Sequence, residues 1–255
     1  KTNGKTAPGW TYNGDVIDLT LTASASHLTD TAVSLTIGGE TRTLTFRTAA
    51  NVTPAAYVHG DVIGVASADS PQSFTGLTFG TGRAVVFVTT SPNALAADAV
   101  KLNGVAMTKR ARQTGGDASM EMWDAPVAAG TSHVLDIAYS AGFYGAKAVS
   151  YGTVTSGAFA STASNAPLDQ SGPHETPSVT VPANGIAVAA FVEYGGAAIT
   201  PATVNAPSTL IDEGRTVFNG ETNGLAVATR TGTGTVSFNY AFGTHARIVA
   251  VYGAA

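Results

Sequence analysis

Residues that could carry catalysis are few in this chain, and none stands in a spacing that a familiar mechanism requires. The 255 residues include no cysteine, which excludes disulfides, thiolate nucleophiles and zinc–cysteine sites. No G-x-S-x-G nucleophile elbow occurs, and the nearest segment, at Ser156, lacks the first glycine. The H-E-x-x-H zinc motif and the phosphate-binding glycine loop are also missing. The sequence therefore predicts a protein that is not an enzyme.

Histidines are the next candidates, as metal ligands or as proton carriers. His174 precedes Glu175 in a proline-rich segment, where a metal site would need further ligands converging from elsewhere. We interpret this pair as part of a surface loop. His133 and His245 each stand at the start of a predicted strand, and we interpret both as structural residues held by hydrogen bonds.

Carboxylates offer two further kinds of site. Oxygen-rich loops with Asp117 and Asp124, or with Asp212 and Glu213, could supply calcium ligands, but neither has the Asp-x-Asp-x-Asp-Gly spacing that folds around the ion. Glycoside cleavage needs two carboxylates about 5 to 10 Å apart, which a sequence cannot place. The loop-like candidates for such a pair are Asp69, Asp169 and Glu175. We expect no metal and no cofactor.

Aromatic residues in turns are better candidates for a binding surface. Phe143 and Tyr144 stand between two glycines, and Tyr194 follows an apolar strand in a similar position further along. Exposed rings with a few polar groups are typical of ligand sites. We therefore take Phe143, Tyr144, Tyr194 and Trp123 as candidate ligand-binding residues. The alternative is that the turn rings plug the end of the fold and that Trp123 is a core residue.

Composition narrows the class of partner. Only 12% of residues are charged, the net charge is −4, and Lys and Arg total 13, which argues against nucleic-acid binding. One basic run exists, at Lys109, Arg110 and Arg112, and we interpret it as solvated surface. No stretch of 18 apolar residues occurs, so we expect no membrane insertion.

The elements that must position these residues are strands. Apolar residues alternate with polar ones, and the pattern of a long helix is absent. Residues 84–88 and 186–192 are continuous apolar runs, typical of strands buried on both faces. The pairs Gly38-Gly39 and Asn103-Gly104 predict tight hairpins. The Ser-, Ala- and Pro-rich residues 161–177 predict a long connection rather than an element.

Two cycles of strands follow each other at an offset near one hundred residues. Ala84 in the first cycle corresponds to Ile186, and Tyr151 corresponds to Tyr252. We predict an all-β fold: a small β-rich N-terminal domain over residues 1–82, then a two-sheet sandwich over residues 83–255. The sandwich would be built from repeat halves 83–152 and 185–253. Each half as a separate small sandwich is the alternative.

Residues 83–255 resemble a duplicated, jelly-roll-like β-sandwich module of tailed-phage structural and tail proteins and of bacterial surface or secreted proteins. The resemblance rests on the apolar strand at 84–88, VKLNG at 100–104, MEMW at 120–123 and the strand at 148–151. It implies a component used for assembly or attachment, located in a virion or outside the cell. It carries over no catalytic residue.

We therefore expect a structural or host-attachment component of a tailed phage or phage-like particle, such as a tail fibre, spike, baseplate or capsid decoration. Its expected partners are other virion proteins or copies of itself, with bacterial surface polysaccharide as a further candidate. The alternative is a carbohydrate-binding accessory module cut from a secreted or cell-surface enzyme, which the start at Lys1 rather than Met would fit.

Overall fold

The computed structural model describes most of the chain. The described residues are 9–13, 16–20, 30–37, 40–47, 52–65, 70–90, 94–115, 118–139, 147–166, 172–195, 203–218, 221–240 and 244–254. Side chains are described from residue 52 onward, except at 65, 118, 147, 172, 173, 194, 195, 215–218, 221–223, 240 and 244. The described residues are strands, turns and bends without a helix, which confirms the all-β prediction. The chain forms two compact units, residues 1–52 and 53–255.

The first unit contains two antiparallel hairpins. In one, β1 (Gly9–Asn13) pairs with β2 (Val16–Thr20). In the other, β3 (Asp30–Ile37) pairs with β4 (Glu40–Arg47), and Ile37 lies opposite Glu40. This pairing confirms the strands of the hairpin predicted around Gly38 and Gly39. Those two residues lie outside the described part of the chain.

The first half of the second unit contains two antiparallel sheets. The sheet that packs against the second half, called the first inner sheet, has the order β10-β11-β7-β13-β5. The sheet on its other side, called the first outer sheet, has the order β6-β12-β8-β9. The strands are β5 (Ala56–Val65), β6 (Gln72–Phe79), β7 (Gly82–Thr90), β8 (Val100–Leu102), β9 (Val105–Ala106), β10 (Thr108–Gly115), β11 (Ala118–Val127), β12 (Gly130–Ile137) and β13 (Lys147–Thr155). The predicted hairpin at Asn103-Gly104 is confirmed between β8 and β9, and both turn residues have positive φ.

The second half also contains two antiparallel sheets. The second inner sheet has the order β14-β21-β16-β19-β18, and the second outer sheet has the order β15-β20-β17. The strands are β14 (Gly157–Asn165), β15 (Gly172–Glu175), β16 (Ile186–Gly195), β17 (Thr203–Val204), β18 (Thr209–Phe218), β19 (Glu221–Arg230), β20 (Ser237–Tyr240) and β21 (Thr244–Ala254). Each half therefore has two sheets of its own, which was the alternative to one shared sandwich.

Three apolar cores separate the four sheets. Because strand side chains alternate between faces, β7 sends Val86 into a first core with the outer sheet and Phe87 into a middle core. The middle core joins the two inner sheets, with Phe87 in the same cluster as Val188 and Ile248. A last core lies between the second inner and outer sheets. This double burial explains the continuous apolar runs and confirms the strands predicted there.

Two boundaries differ from the sequence predictions. The predicted border at residue 82 separates β5 and β6 from the sandwich, but β5 pairs with β13 and β6 pairs with β12. The compact unit consequently begins at residue 53. The prediction of a structureless connection at 161–177 was wrong, because it contains the end of β14 and all of β15. Both are edge strands, and β14 lacks the apolar alternation that marks a half-buried strand.

The residue pairs that the sequence aligned between the two cycles do not face the same layer. Tyr151 lies in the first core, whereas Tyr252 lies in the middle core. Likewise, Ala84 lies in the first core, whereas Ile186 lies in the middle core. A shift of one residue moves a strand residue to the opposite face, so the aligned residues are not equivalent in packing.

Candidate functional site

Of the four candidate binding residues, only Trp123 has a side chain that the structure describes. Trp123 is fully buried in the first core, which corresponds to the core-packing alternative. Its strand neighbours are Val86 on one side and Lys109 on the other, and the Lys109 ammonium lies 4.9 Å from the centre of the indole ring. Such a ring offers no face to a ligand from solvent. Tyr194 is the penultimate residue of β16, and its side chain is not described. Phe143 and Tyr144 lie outside the described residues.

The basic run is not the solvated surface that we predicted, because its side chains neutralise buried carboxylates. Glu121 is fully buried, and its carboxylate accepts hydrogen bonds from Lys109 Nζ at 3.1 Å and from the Leu95 amide at 2.9 Å. Arg112 Nε lies 3.5 Å from the same carboxylate. Lys109 and Arg112 thus serve as counterions inside the fold.

Asp124 forms a second buried ion cluster on the opposite face of β11. Arg83 Nε and Arg110 Nε each donate to a different carboxylate oxygen of Asp124, both at 2.7 Å. The hydrogen bond to Asp124 raises the pKa of Arg83. The guanidinium of Arg110 also lies 4.2 Å from the ring centre of Phe159 in the second half. Both carboxylate oxygens of Asp124 therefore accept hydrogen bonds from arginines, where the sequence suggested that they could bind calcium. Asp117, the other candidate calcium ligand of that loop, lies outside the described residues.

The histidine predicted on a surface loop is buried in a strand. His174 belongs to β15, and its ring centre lies 4.1 Å from that of His245 and 5.7 Å from that of Phe191. The His245 ring also stacks on Phe191, with 5.6 Å between the ring centres. The loop interpretation was therefore wrong for His174. Within the described residues, no group of three His, Asp or Glu side chains has a geometry that could hold a metal ion.

Among the described residues, a groove opens beside the β8–β9 hairpin. It has a volume of about 440 Å³ and mostly apolar walls. Its lining residues are Leu102, Asn103, Val105, Ala106, Thr108, Ala125, Pro126, Val127, Ala128 and His133. The volume and the mixture of apolar walls with a few polar groups are typical of small-ligand sites.

The polar end of the groove is fixed by a small network. The Asn103 side-chain amide donates to His133 Nδ1 at 2.8 Å, and its oxygen accepts from the Val134 amide at 2.9 Å. The His133 ring packs edge-on against Phe79, with 5.3 Å between ring centres. Asn103 and His133 are therefore held in place before a ligand arrives, which lowers the entropic cost of binding.

Val105 is a large apolar residue of the groove that is exposed, with 70% of its surface accessible. From the sequence, Asn103 was predicted only as a turn residue and His133 only as a structural residue. The groove was missed because its walls come from two separate segments, 102–108 and 125–133, which meet only through the sheet pairing. A signal was available in the Asn103-Gly104 turn, since loops between paired strands often carry binding residues.

The described part of the chain holds no helical segment with the length and apolarity that a membrane crossing requires. Comparison of the chain with protein-family models, curated proteins and solved structures found no match.

Proposed function

We propose that this chain is a non-catalytic display protein, the structural or host-attachment component of a tailed phage or phage-like particle. The observation that carries the proposal is the stack of four sheets, in which two sandwiches share the middle core. A stack of this kind is a stiff support for loops and hairpins that contact a partner. The proposed location is a virion or the outside of a cell.

Contacts between the two halves support the role of a rigid support. His59 Nε2 on β5 donates to Asp212 on β18 at 2.9 Å, and the Thr162 hydroxyl donates to the Arg110 carbonyl at 3.3 Å. Apolar side chains of both inner sheets fill the space between these polar links. Burial of this extent resists independent motion of the halves.

A duplication fits this role and the strand orders. The inner-sheet order β10-β11-β7-β13-β5 matches β18-β19-β16-β21-β14 strand for strand, and the outer-sheet order β6-β12-β8 matches β15-β20-β17. We propose that each half is one copy of a jelly-roll-like sandwich. In this proposal the copies extend over residues 56–155 and 157–254, rather than over the shorter halves inferred from sequence.

The groove beside the β8–β9 hairpin is the proposed contact site for bacterial surface polysaccharide. Its amide and imidazole groups can hydrogen-bond sugar hydroxyls, and its apolar walls can cover the ring faces. The same groove favours the second candidate, a carbohydrate-binding accessory module of a secreted or cell-surface enzyme. The two candidates differ in assembly, because a particle component contacts copies of itself or other virion proteins.

Light scattering on the purified chain, with and without polysaccharide extracted from bacterial surfaces, separates the two candidates. The particle component is expected to form a defined oligomer whose mass rises further when polysaccharide is added. A monomer that binds a defined glycan would move the assignment to the accessory module. A monomer that binds no polysaccharide would remove the support for both.

A further inference from the structure

The imidazole of His133 has one nitrogen that a ligand in the groove beside the β8–β9 hairpin can reach. His133 stands on β12, and its ring is held edge-on against Phe79. Nδ1 of the ring already accepts a hydrogen bond from the Asn103 side chain. Nε2 forms no hydrogen bond with the residues that the structure describes, and it is not buried. Nε2 is therefore the atom through which His133 can contact a ligand.

The hydrogen bonds of Asn103 decide which nitrogen of His133 carries the proton. The Val134 amide donates to Asn103 Oδ1 at 2.9 Å, so the side-chain nitrogen of Asn103 is the group that faces the ring. That nitrogen can only donate, and it lies 2.8 Å from His133 Nδ1. Nδ1 is then the acceptor, which places the proton of the neutral ring on Nε2. His133 consequently offers the groove a hydrogen-bond donor whose tautomer is set before a ligand arrives.

The walls of the groove are mostly apolar. Its described lining residues include no Asp, Glu, Lys or Arg, so an ionised sugar such as a uronic acid would find no counterion there. The segments 105–106 and 125–128 supply aliphatic side chains. A sugar hydroxyl packed on these walls would lose its hydrogen bonds to water without replacement, which is unfavourable. A matching ligand therefore carries an acceptor for His133 and an apolar group directly beside that acceptor.

We propose that the groove selects N-acetylated sugars and that His133 is the residue that determines this specificity. The acetamido group joins a carbonyl oxygen, which accepts from Nε2–H, to a methyl group, which packs on the aliphatic walls. An amide carbonyl is also a stronger acceptor than a sugar hydroxyl. The groove volume of about 440 Å³ lies within the range of small-ligand sites. This inference rests on the proposed polysaccharide contact and names the chemical class of sugar that the contact recognises.

Isothermal titration calorimetry of the full chain with two uncharged oligosaccharides tests the specificity. Chitotetraose and cellotetraose share the same linkage between glucose-type rings, but each ring of chitotetraose carries an acetamido group in place of one hydroxyl. Wild type is expected to bind chitotetraose at least about tenfold more tightly than cellotetraose. His133→Phe keeps a ring against Phe79 but removes the donor, and should lose most of this preference. Ser132→Ala, at an exposed β12 position outside the groove, is the matched control and should keep the preference.

Equal affinity of wild type for the two oligosaccharides, or binding of bacterial polysaccharide but of neither oligosaccharide, would overturn the acetamido specificity and leave the proposed polysaccharide contact in place. Failure to bind any of these glycans would contradict the proposed function as well.

Because His133→Phe could fail to fold, a second measurement uses wild type alone. The ¹⁵N signals of the His133 ring should show the proton on Nε2, and added chitotetraose should shift the Nε2 signal more than the Nδ1 signal. A proton on Nδ1, or an Nε2 signal that chitotetraose leaves unchanged, would contradict the role of His133.

Discussion

The imidazole rings of His174 and His245 lie 4.1 Å apart, centre to centre, inside the second half of the stack. His174 comes from an outer edge strand and His245 from an inner strand, so their contact ties the two sheets together. Phe191 stacks on both rings and extends the contact to Phe238. This row of rings is where the second outer sheet is held to the second inner sheet.

Shortening His174 is expected to loosen that row. His174→Ala removes a buried ring and should lower the free energy of unfolding by about 3 kcal/mol, as for other buried aromatic residues. His174→Phe keeps a ring in the stack and should cost about 1 kcal/mol. Urea unfolding of both variants checks the order. Equal losses would show that the polar atoms of His174, rather than its ring, hold the sheets.

Removing the charge of Asp124 is expected to be costly because two arginines depend on it. Asp124→Asn leaves Arg83 and Arg110 without their shared carboxylate and should lower the free energy of unfolding by about 3 kcal/mol or more. The matched control is Asp98→Asn, at an exposed loop position, which should change stability by less than about 0.5 kcal/mol. Chemical denaturation of the pair provides the measurement, and similar small losses in both would contradict the buried ion cluster.

A glycine allows the two halves to approach closely. A Cβ at Gly115 on β10 would clash with the carbonyl oxygen of His245 in the second half, and would lie 3.0 Å from Ala166 Cβ. Gly115→Ala should therefore lower the free energy of unfolding by about 2 kcal/mol. At Gly80 the nearest atom to an added Cβ is Thr155 Cγ2 at 3.7 Å, so Gly80→Ala should be tolerated. If Gly115→Ala unfolds at the same urea concentration as wild type, the halves do not meet at this point.

Alkaline pH is expected to destabilise the fold through its buried tyrosines. Burial, followed by the charge of Asp124, raises the pKa of Tyr252, so the folded state keeps the phenol protonated above pH 10, where the unfolded chain ionises. The contribution of Tyr252 is present below pH 10 and is lost as the pH rises, by up to about 1.4 kcal/mol per pH unit. Urea unfolding between pH 8 and 11 should show this fall.

The variant Tyr252→Phe isolates that contribution. It should be as stable as wild type or about 1 kcal/mol more stable at pH 7, because the buried hydroxyl of Tyr252 has no hydrogen-bond partner. Its stability should also fall less steeply above pH 10. A steeper fall in the variant than in wild type would mean that Tyr252 ionises more easily in the folded state than in the unfolded chain.

Elements that are marked by local chemistry could be predicted from the sequence. The apolar runs in β7 and β16 and the Asn103-Gly104 turn each carry their signal within a few residues. The short edge strand β15 could not be predicted in the same way, because Gly172 and Pro173 are typical of loops. Its pairing with β20 depends on residues more than sixty positions away.

The candidate site was harder to predict than the fold, because it also depends on residues that are distant in sequence. The groove requires the β8–β9 hairpin to meet the segment 125–133, and local patterns do not report that meeting. Arg247 is the clearest case of a residue whose type gives the wrong expectation, since arginine is almost never fully buried unless it is paired. Its contact with β15, where Nη1 donates to the Glu175 carbonyl, follows only from the folded arrangement of the two strands.

We propose that a rigid stack presents the groove at Val105 to a bacterial surface polysaccharide. The most direct test is the dissociation constant of the chain for such polysaccharides, compared between Val105→Glu and Val58→Glu. Both valines are exposed apolar strand residues, at 70% and 54%, but only Val105 lines the groove. We expect at least about tenfold weaker binding for Val105→Glu, equivalent to about 1.4 kcal/mol, and unchanged binding for Val58→Glu. Equal binding by both variants would contradict the groove as the attachment site.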